Sequence, residues 1–389
     1  MVKDRPRLLI CTSVYLPGTK AGGTVTAVAH LVDRMGAETD IYIVTSDRDL
    51  GDRSPYAGVS TSQWVEREGC RVFYTARRKM TVRRVRRLIQ EIEPDTVYLN
   101  ALFSPRFSAV PVIACRSRRR PPRVVIAPTG SLNSSAVAQK WLKKRLYLGV
   151  TRALRLERRL WWHAASEDEA TAIRRELPAA RVAVVPHFPP PLAPRGLPKP
   201  PKESGHVRLI FLGRLHPIKN LMYALERLKQ TVGVVDLTIA GAVEDQEYWV
   251  RCQSLAATIP HVRMESLGAV APEEITTLLS RHHVLVHPSL TENYGYAILE
   301  SLGHGLVVMA SDRIPWRALE KLGAGWCISL DDDRAWERSL QTCIDMDQQT
   351  YSCMSEAATS AGVSLVDDES IRRLHRDLLG LGPYRAPTG

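Results

Sequence analysis

Residues 186–220 read PHFPPPLAPRGLPKPPKESGHVRLIFLGRLHPIKN, and two features of this stretch decide the architecture. From Pro186 to Gly205 proline is too frequent for the interior of a helix or a sheet, because each ring fixes φ and removes an N–H donor; the composition is that of a stiff linker. Directly after it, Arg208–Leu212 (RLIFL) is a short apolar run of buried-strand type that ends on Gly213 and a basic, proline-containing turn. A linker in the middle of 389 residues divides the chain into two domains of ordinary size. The expected boundaries are 1–187 for the first domain, 188–205 for the linker and 206–366 for the second domain. A tail, 367–389, follows, and its Asp367–Leu379 stretch has helical spacing.

The same rhythm runs on both sides of the linker. Upstream, Arg7–Cys11, Ile41–Thr45, Arg71–Tyr74, Thr96–Leu99, Val124–Ala127 and Val182–Val185 read as strands, with a helix between them at Val82, Val85, Leu88, Ile89 and Ile92. Downstream, Arg208–Leu212, Val235–Ala240, Val262–Met264, His283–His287 and Leu306–Ala310 are strand-like. Helical stretches near 220–230, 246–258, 272–281, 295–304 and 333–344 separate them. Strand–helix alternation implies an α/β protein of two Rossmann-like, doubly wound domains, each with a parallel sheet covered on both faces. Such sheets bind ligands outside the carboxyl ends of their strands, so the two domains are expected to face each other across a cleft.

The composition, 44% hydrophobic and 24% charged, excludes a globally disordered chain. No apolar run approaches the ~18 residues of a membrane-spanning helix. Asp4 interrupts the basic start, and the chain turns polar before a signal-peptide core could form. Seven cysteines are scattered, never in a C-x-x-C pair, which argues against a disulfide framework and a structural zinc site. These features predict a cytoplasmic protein. The charge is uneven: residues 1–195 hold 34 Lys+Arg against 17 Asp+Glu, so the formal net charge of +12 lies wholly in the first half. A domain of that kind suits an anionic partner such as phosphate, nucleic acid or a lipid surface; an arginine-favouring composition, 42 Arg to 11 Lys, gives the same balance with no partner at all.

Three segments carry candidate chemistry. After the first strand, Gly22 and Gly23 can bring backbone amides close to an anion and Thr24 can cap the helix that follows, a phosphate-ready arrangement. There is no G-x-G-x-x-G, which counts against a dinucleotide site. After Arg208–Leu212, Gly213 leads into Arg214 and Lys219, a planar fork of donors and a compact charge able to neutralise a diphosphate without a metal. The third segment is TENYGYAILESLGHGLVVMASD (291–312). Glu292 is placed in a loop, Asn293–Gly295 form a turn, and amides at Gly295 and Tyr296 point beside Glu292. Glu300 lies a turn and a half into an otherwise apolar helix, where a buried carboxylate needs a partner and can take vicinal hydroxyls.

These residues resemble a known family. G-R-L-H-P-I-K-N (213–220) followed by E-N-Y-G-Y-A-I-L-E (292–300) is similar to the donor site of retaining glycosyltransferases of the GT-B fold, family 4. PDTVYLNALFSPRFSAVP (94–111), KWLKKRLYLG (140–149), HAASEDEA (163–170), GAVEDQEYW (241–249) and PWRALEKLGAGW (315–326) are similar to bacterial members that build surface polysaccharides. The resemblance implies a nucleotide-sugar donor, UDP- or GDP-linked, and a glycan, lipid-linked or small-molecule acceptor. It implies no metal and no cofactor. Arg214 and Lys219 would hold the diphosphate, Glu300 the ribose, and Glu292 with Asn293, Tyr294, Gly295 and Tyr296 the donor sugar. Gly22, Gly23 and Thr24 would close on phosphate or acceptor. Asn100, Thr129, Gly130 and Ser131 would line the acceptor side, where relatives carry Pro-Arg-Gly-Glu in place of Pro128–Ser131 and often histidine in place of Asn100.

Other readings compete. Asp47-Arg-Asp49 and Asp331-Asp-Asp333 mimic a D-x-D metal motif, and His282, His283 and His287 invite zinc. Arg77–Arg87 is a basic amphipathic stretch, and Lys140–Trp162 mixes basic residues with Trp141, Leu142, Leu146, Leu160, Trp161 and Trp162; both suit peripheral contact with an anionic membrane. A nucleic-acid binder would share the charge, but no reader module is present. A catalytically inactive glycosyltransferase-like partner subunit is the remaining alternative. The tail helix is expected to pack back onto the first domain.

Overall fold

The computed structural model describes residues 5–116, 120–132, 141–153, 155–191, 199–365 and 368–382. The middle of the proline-rich stretch (192–198), Lys140 and Asp367 lie outside the described residues. The chain forms two compact units, Met1–Phe188 with Asp367–Gly389, and Pro189–Val366.

The first unit is an eight-stranded sheet made of β1 (Arg7–Cys11), β2 (Asp40–Ser46), β3 (Trp64–Arg67), β4 (Cys70–Thr75), β5 (Thr96–Leu99), β6 (Arg123–Ile126), β7 (Trp161–Ala164) and β8 (Arg181–Val184). Their order is β3-β4-β2-β1-β5-β6-β7-β8, parallel except for the edge strand β3. Its helices are α1 (Gly23–Met35), α2 (Val82–Ile92), α3 (Ala109–Cys115), α4 (Trp141–Ala153), α5 (Leu156–Arg159) and α6 (Glu167–Glu176). The two-residue period of the strands sorts the core into two layers. Leu8, Ile10, Ile41 and Ile43 face α1, while Leu9, Cys11 and Val44 face α2, α3 and α6. Trp162 and Leu160, read in the sequence beside the basic residues as lipid-facing, are instead buried in that second layer.

The second unit holds β9 (His206–Leu212), β10 (Val234–Ala240), β11 (Val262–Gly268), β12 (Val284–His287), β13 (Val307–Ser311) and β14 (Gly325–Ile328). All are parallel, in the order β11-β10-β9-β12-β13-β14. The order reverses beside β9, which lies between β10 and β12, and the carboxyl ends of β9 and β12 are therefore the switch point of this sheet. Helices α7 (Leu221–Leu228), α8 (Gln246–Ala256) and α11 (Asp333–Asp345) cover one face; α9 (Pro272–Ser280), α10 (Tyr296–Gly303) and α12 (Gln348–Ser364) cover the other. Helix α12 and strands β3, β7 and β14 have no counterpart among the strands and helices read from the sequence. The buried side of α12 is Ala358, Ala361 and Gly362, small residues that bring its backbone against Gly303 of α10, so no stripe of large apolar side chains announces it.

Helix α13 (Asp368–Leu379) belongs to the first unit. Ile371, Leu378 and Leu379 join the α1 layer, Thr96 Oγ donates to Leu379 O at 2.5 Å, and the largely buried Arg376 pairs with Glu38 while also donating to Leu381 O and Gly382 O. The segment leaving β8 is fastened by imidazoles. Ring N–H groups of His163, His375 and His30 donate to the carbonyls of Val185 (2.7 Å), Pro186 (3.0 Å) and Phe188 (3.3 Å). His375 also stacks on Phe188 at 4.4 Å, and Tyr98 OH donates to His163 Nδ1.

Burial holds these rings neutral: it pushes His163 down to about 4, His375 down to about 3, and His187 beside them well below its ordinary value. Between those values and the ordinary 6.5 the unfolded chain binds protons that the folded one does not, so stability is full above about pH 6.5 and is lost as the pH falls. Urea titrations at pH 7.5 and 5.0 will show a loss of about 2 kcal/mol for each of His163 and His375. His375→Phe will make the profile shallower.

Candidate active site

The turn that follows β9 is built by proline and an asparagine in the left-handed region. Pro217–Lys219 form a single 3-10 turn that His216 caps by accepting from Ile218 N–H (3.1 Å), and Asn220 at φ 60° reverses the chain into α7. The Lys219 stem crosses Gly213, with its Cγ and Cδ 3.8 Å from where a Cβ at Gly213 would sit. Gly241 keeps the end of β9 open. It sits at φ 155°, and a Cβ there would lie 1.9 Å from Gly213 O.

The loop after β12 meets this turn. Leu290 N–H donates to Ile218 O (2.9 Å), Glu292 N–H to Arg313 O (3.2 Å), and Ser311 Oγ to Ser289 O (2.6 Å). These bonds bring Lys219 and Glu292 together as a mostly buried ion pair. Glu292 Oε2 also accepts from His287 Nε2 at 2.9 Å, and Ser289 Oγ lies 3.1 Å from the same nitrogen. Burial alone would raise the Glu292 carboxyl, but the Lys219 ammonium and the His287 N–H outweigh it and hold the group well below the usual carboxylate range. His287 is itself pushed down by burial, which outweighs the adjacent carboxylate.

Beyond Glu292 the chain enters α10 through Gly295, at φ 83°, where a Cβ would press on Ile298, Trp316 and Glu292 at 3.2–3.4 Å. Buried Tyr294 and Tyr296 lie with ring centroids 4.8 Å apart, and Trp316 Nε1 donates to Tyr294 O, fixing the turn. Asn293 Oδ1 is buried with no hydrogen-bond partner among the described residues. One turn into α10, the Glu300 carboxylate has no protein partner among the described residues either, and desolvation pushes it up to about 7. A desolvated carboxyl in this condition is suited to polar ligand atoms.

Of the residues singled out by sequence, Gly213, Lys219, Glu292 and the turn Asn293–Tyr296 are gathered at the β9 and β12 ends, and Glu300 lies a turn further along α10. Arg214 lies one residue from them but pairs with Glu244, in the loop after β10. His287 and Ser289 were read only as a zinc candidate or not at all; their signal was a polar residue ending a buried strand five positions before Glu292. The other two histidines are committed elsewhere, His282 to Leu278 O and Thr238, and His283 to Arg208 N–H and Pro200 O.

In the first unit the expected cap is corrected. Gly22, at φ 56°, is the residue before α1, and Thr24 falls inside the helix, where it caps nothing with its side chain. Instead Thr24 O accepts from Asn100 Nδ2 (3.1 Å), and Asn100 Oδ1 is left buried without a partner among the described residues. Thr129 and Ser131 both turn their hydroxyls onto Pro128 O (2.8 and 2.7 Å). Gly130 N–H donates to Glu169 Oε1 (2.6 Å), while Glu169 Oε2 takes Ala165 N–H; this buried glutamate organises the loop and escaped the sequence reading. The D-x-D motifs serve the protein's own backbone and side-chain groups. Asp49 accepts from Thr19, Lys20 and Leu50 N–H, Asp47 pairs with Arg48, Asp332 caps α11, and Asp333 pairs with Arg227 and accepts from Tyr223 OH.

Residues 206–346 match the family model described as Glycosyl transferases group 1. A stretch of 148 residues, 37% of this chain, is 28% identical to the gpi3 subunit of phosphatidylinositol N-acetylglucosaminyltransferase from Schizosaccharomyces pombe; the match spans 31%, about a third, of that curated relative's length. Sucrose-phosphate synthase from Thermosynechococcus elongatus is similar with a TM-score of 0.72 at 16% identity, over 97% of this chain and 100% of that one. HepE from Anabaena, solved in complex with UDP and glucose, gives 0.70 at 16% identity over 96% and 99%. WaaG, a glycosyltransferase involved in lipopolysaccharide biosynthesis, gives 0.67 at 12% identity over 97% and 100%. At these identities the structural likeness establishes the fold, which is GT-B. The match to the group 1 glycosyltransferase model lies wholly within the second unit.

Gly241→Ala tests the close approach beneath Arg214. The added methyl must displace the Gly213 carbonyl, and thermal or urea unfolding of the variant will show a loss on the order of 3 kcal/mol.

Proposed function

We propose that the protein transfers a sugar from a nucleoside diphosphate sugar to a glycan, lipid-linked or small-molecule acceptor, with retention at the anomeric carbon and without a metal ion. The observation that carries this reading is the convergence of Lys219, Glu292 and the start of α10 at the switch point of the second sheet, with Glu300 unpaired on the same helix. Lys219 and Arg214 bind the diphosphate and stabilise it as it departs, a preorganised electrostatic contribution that is a major source of rate enhancement. Glu292 and the turn through Tyr296 orient the donor sugar, and Glu300 takes the ribose hydroxyls. Gly22, Gly23 and Thr24 serve phosphate or acceptor, and Asn100, Thr129, Gly130 and Ser131 the acceptor. With no carboxylate placed as an independent base in this reading, the departing phosphate takes the acceptor proton on the same face.

Exposed Arg77, Arg78, Lys79, Arg83, Arg86 and Arg87, on the 3-10 turn before α2 and on α2 itself, support peripheral contact with an anionic membrane. No helix among the described residues is long and apolar enough to cross one.

A thermal-shift panel of UDP- and GDP-sugars, with and without EDTA, tests the reading. A donor at a hundred times its dissociation constant stabilises by about 2.7 kcal/mol. The shift will persist in EDTA and will vanish in Lys219→Ala and Glu300→Ala. A shift lost in EDTA overturns the metal-free reading, and binding without turnover favours an inactive partner subunit. Ribose hydroxyls donate best to an ionised Glu300, so calorimetric affinity for the matched donor will rise roughly tenfold from pH 6 to pH 8. Glu300→Gln will remove that dependence.

A further inference from the structure

Two donors, Lys219 Nζ and His287 Nε2, fall on one oxygen of Glu292, and its other oxygen, Oε1, has no hydrogen bond among the described residues. The two donors differ in freedom. Lys219 is a long side chain on a turn at the surface end of β9, and its ammonium can turn toward an anion. His287 ends β12, a strand buried along its whole length; its side chain is 3% exposed, and its backbone is paired with Ala310 of β13. An ionised carboxylate only accepts, so the Nε2 that faces it carries the proton.

We propose that His287 is the positioning residue for Glu292: its Nε2–H holds Oε2 so that Oε1 stays presented to the donor sugar when Lys219 turns to the diphosphate. This rests on the donor-site reading above and adds a residue to it. The physical need is specific. A mostly buried carboxylate that loses its only cation is costly, and it would rotate toward water or draw Lys219 back. A second, rigid N–H removes both escapes and leaves the ammonium available for the leaving group. Ser289 Oγ, 3.1 Å from Nε2 and itself buried, with its backbone carbonyl tied to Ser311, keeps the ring from swinging.

The test uses the full chain, UDP-glucose as probe, and slow sugar transfer to water as the turnover readout, so that no acceptor need be known. If UDP-glucose is not the donor, the sugar that gives the largest thermal shift replaces it. His287→Phe keeps the ring volume and removes the N–H; His287→Gln places an amide N–H near the position of Nε2. The expected result is a fall in kcat of about ten- to a hundredfold in His287→Phe, with donor KM changed less than threefold, and recovery of most of the loss in His287→Gln. Calorimetric binding of UDP, which has no sugar to orient, will be unchanged in both. Equal losses in the Phe and Gln variants, tracking their melting temperatures, overturn the positioning role, as does a Phe variant within threefold of the parent. A parent chain that binds and turns over no nucleotide sugar overturns the donor-site reading itself, and the role of His287 with it.

Discussion

The second unit depends on a carboxylate kept ionised out of water. Glu292 and Lys219 are each mostly buried, so neither is stable there without the other, and the backbone on both sides is arranged to hold them at contact distance. The Leu290–Ile218 amide bond ties the two loops, and the sheet order places their parent strands β9 and β12 side by side. Removing either charge would leave its partner uncompensated in a low-dielectric site. The pair is therefore an expense in folding terms, which the proposed donor binding would offset. The same reasoning explains Glu300, which stands desolvated with no counter-ion among the described residues, so that its carboxyl ionises only around pH 7.

Charges in the first unit have a different use. Asp49, Glu169 and Glu38 are partly or wholly buried, but each is spent on the protein's own groups. Asp49 and Glu169 accept from backbone amides of the loops around Lys20 and Gly130, and Glu38 pairs with arginine of the last helix. Carboxylates employed in this way make loops rigid. The exposed arginines of α2 are the opposite case, a solvated face above a fully apolar inner one.

Most strands were legible because parallel sheets buried on both faces read as continuous β-branched and aliphatic runs, as in RLIFL and HVLVH. What escaped were the edges, the interior strand Trp161–Ala164, whose tryptophans follow a basic stretch, and the small-residue contacts. Trp64–Arg67 and Gly325–Ile328 are four-residue strands of mixed composition, and α12 packs through alanine and glycine. In the site, Lys219, Glu292 and Glu300 stood out because ionisable residues follow strands or interrupt an apolar helix. His287 stood out only as a zinc candidate, because a polar residue closing a strand signals a contact without naming the carboxylate five residues on as its partner. Nor could spacing reveal that Arg214 would be engaged by Glu244, because that contact is made between neighbouring strand ends. The helix cap assigned to Thr24 failed by two residues: glycine at φ 56° begins the helix earlier than a hydroxyl could.

Because Ile371, Leu378 and Leu379 complete the layer beneath Leu8, Ile10 and Ile43, the first unit is assembled from residues more than three hundred positions apart. During synthesis its amino-terminal strands must therefore wait, with an apolar face uncovered, until the second unit has been made and the closing helix has left the ribosome. The long-range contacts make this a slow and vulnerable interval, in which chaperone occupancy of that face would be at its greatest.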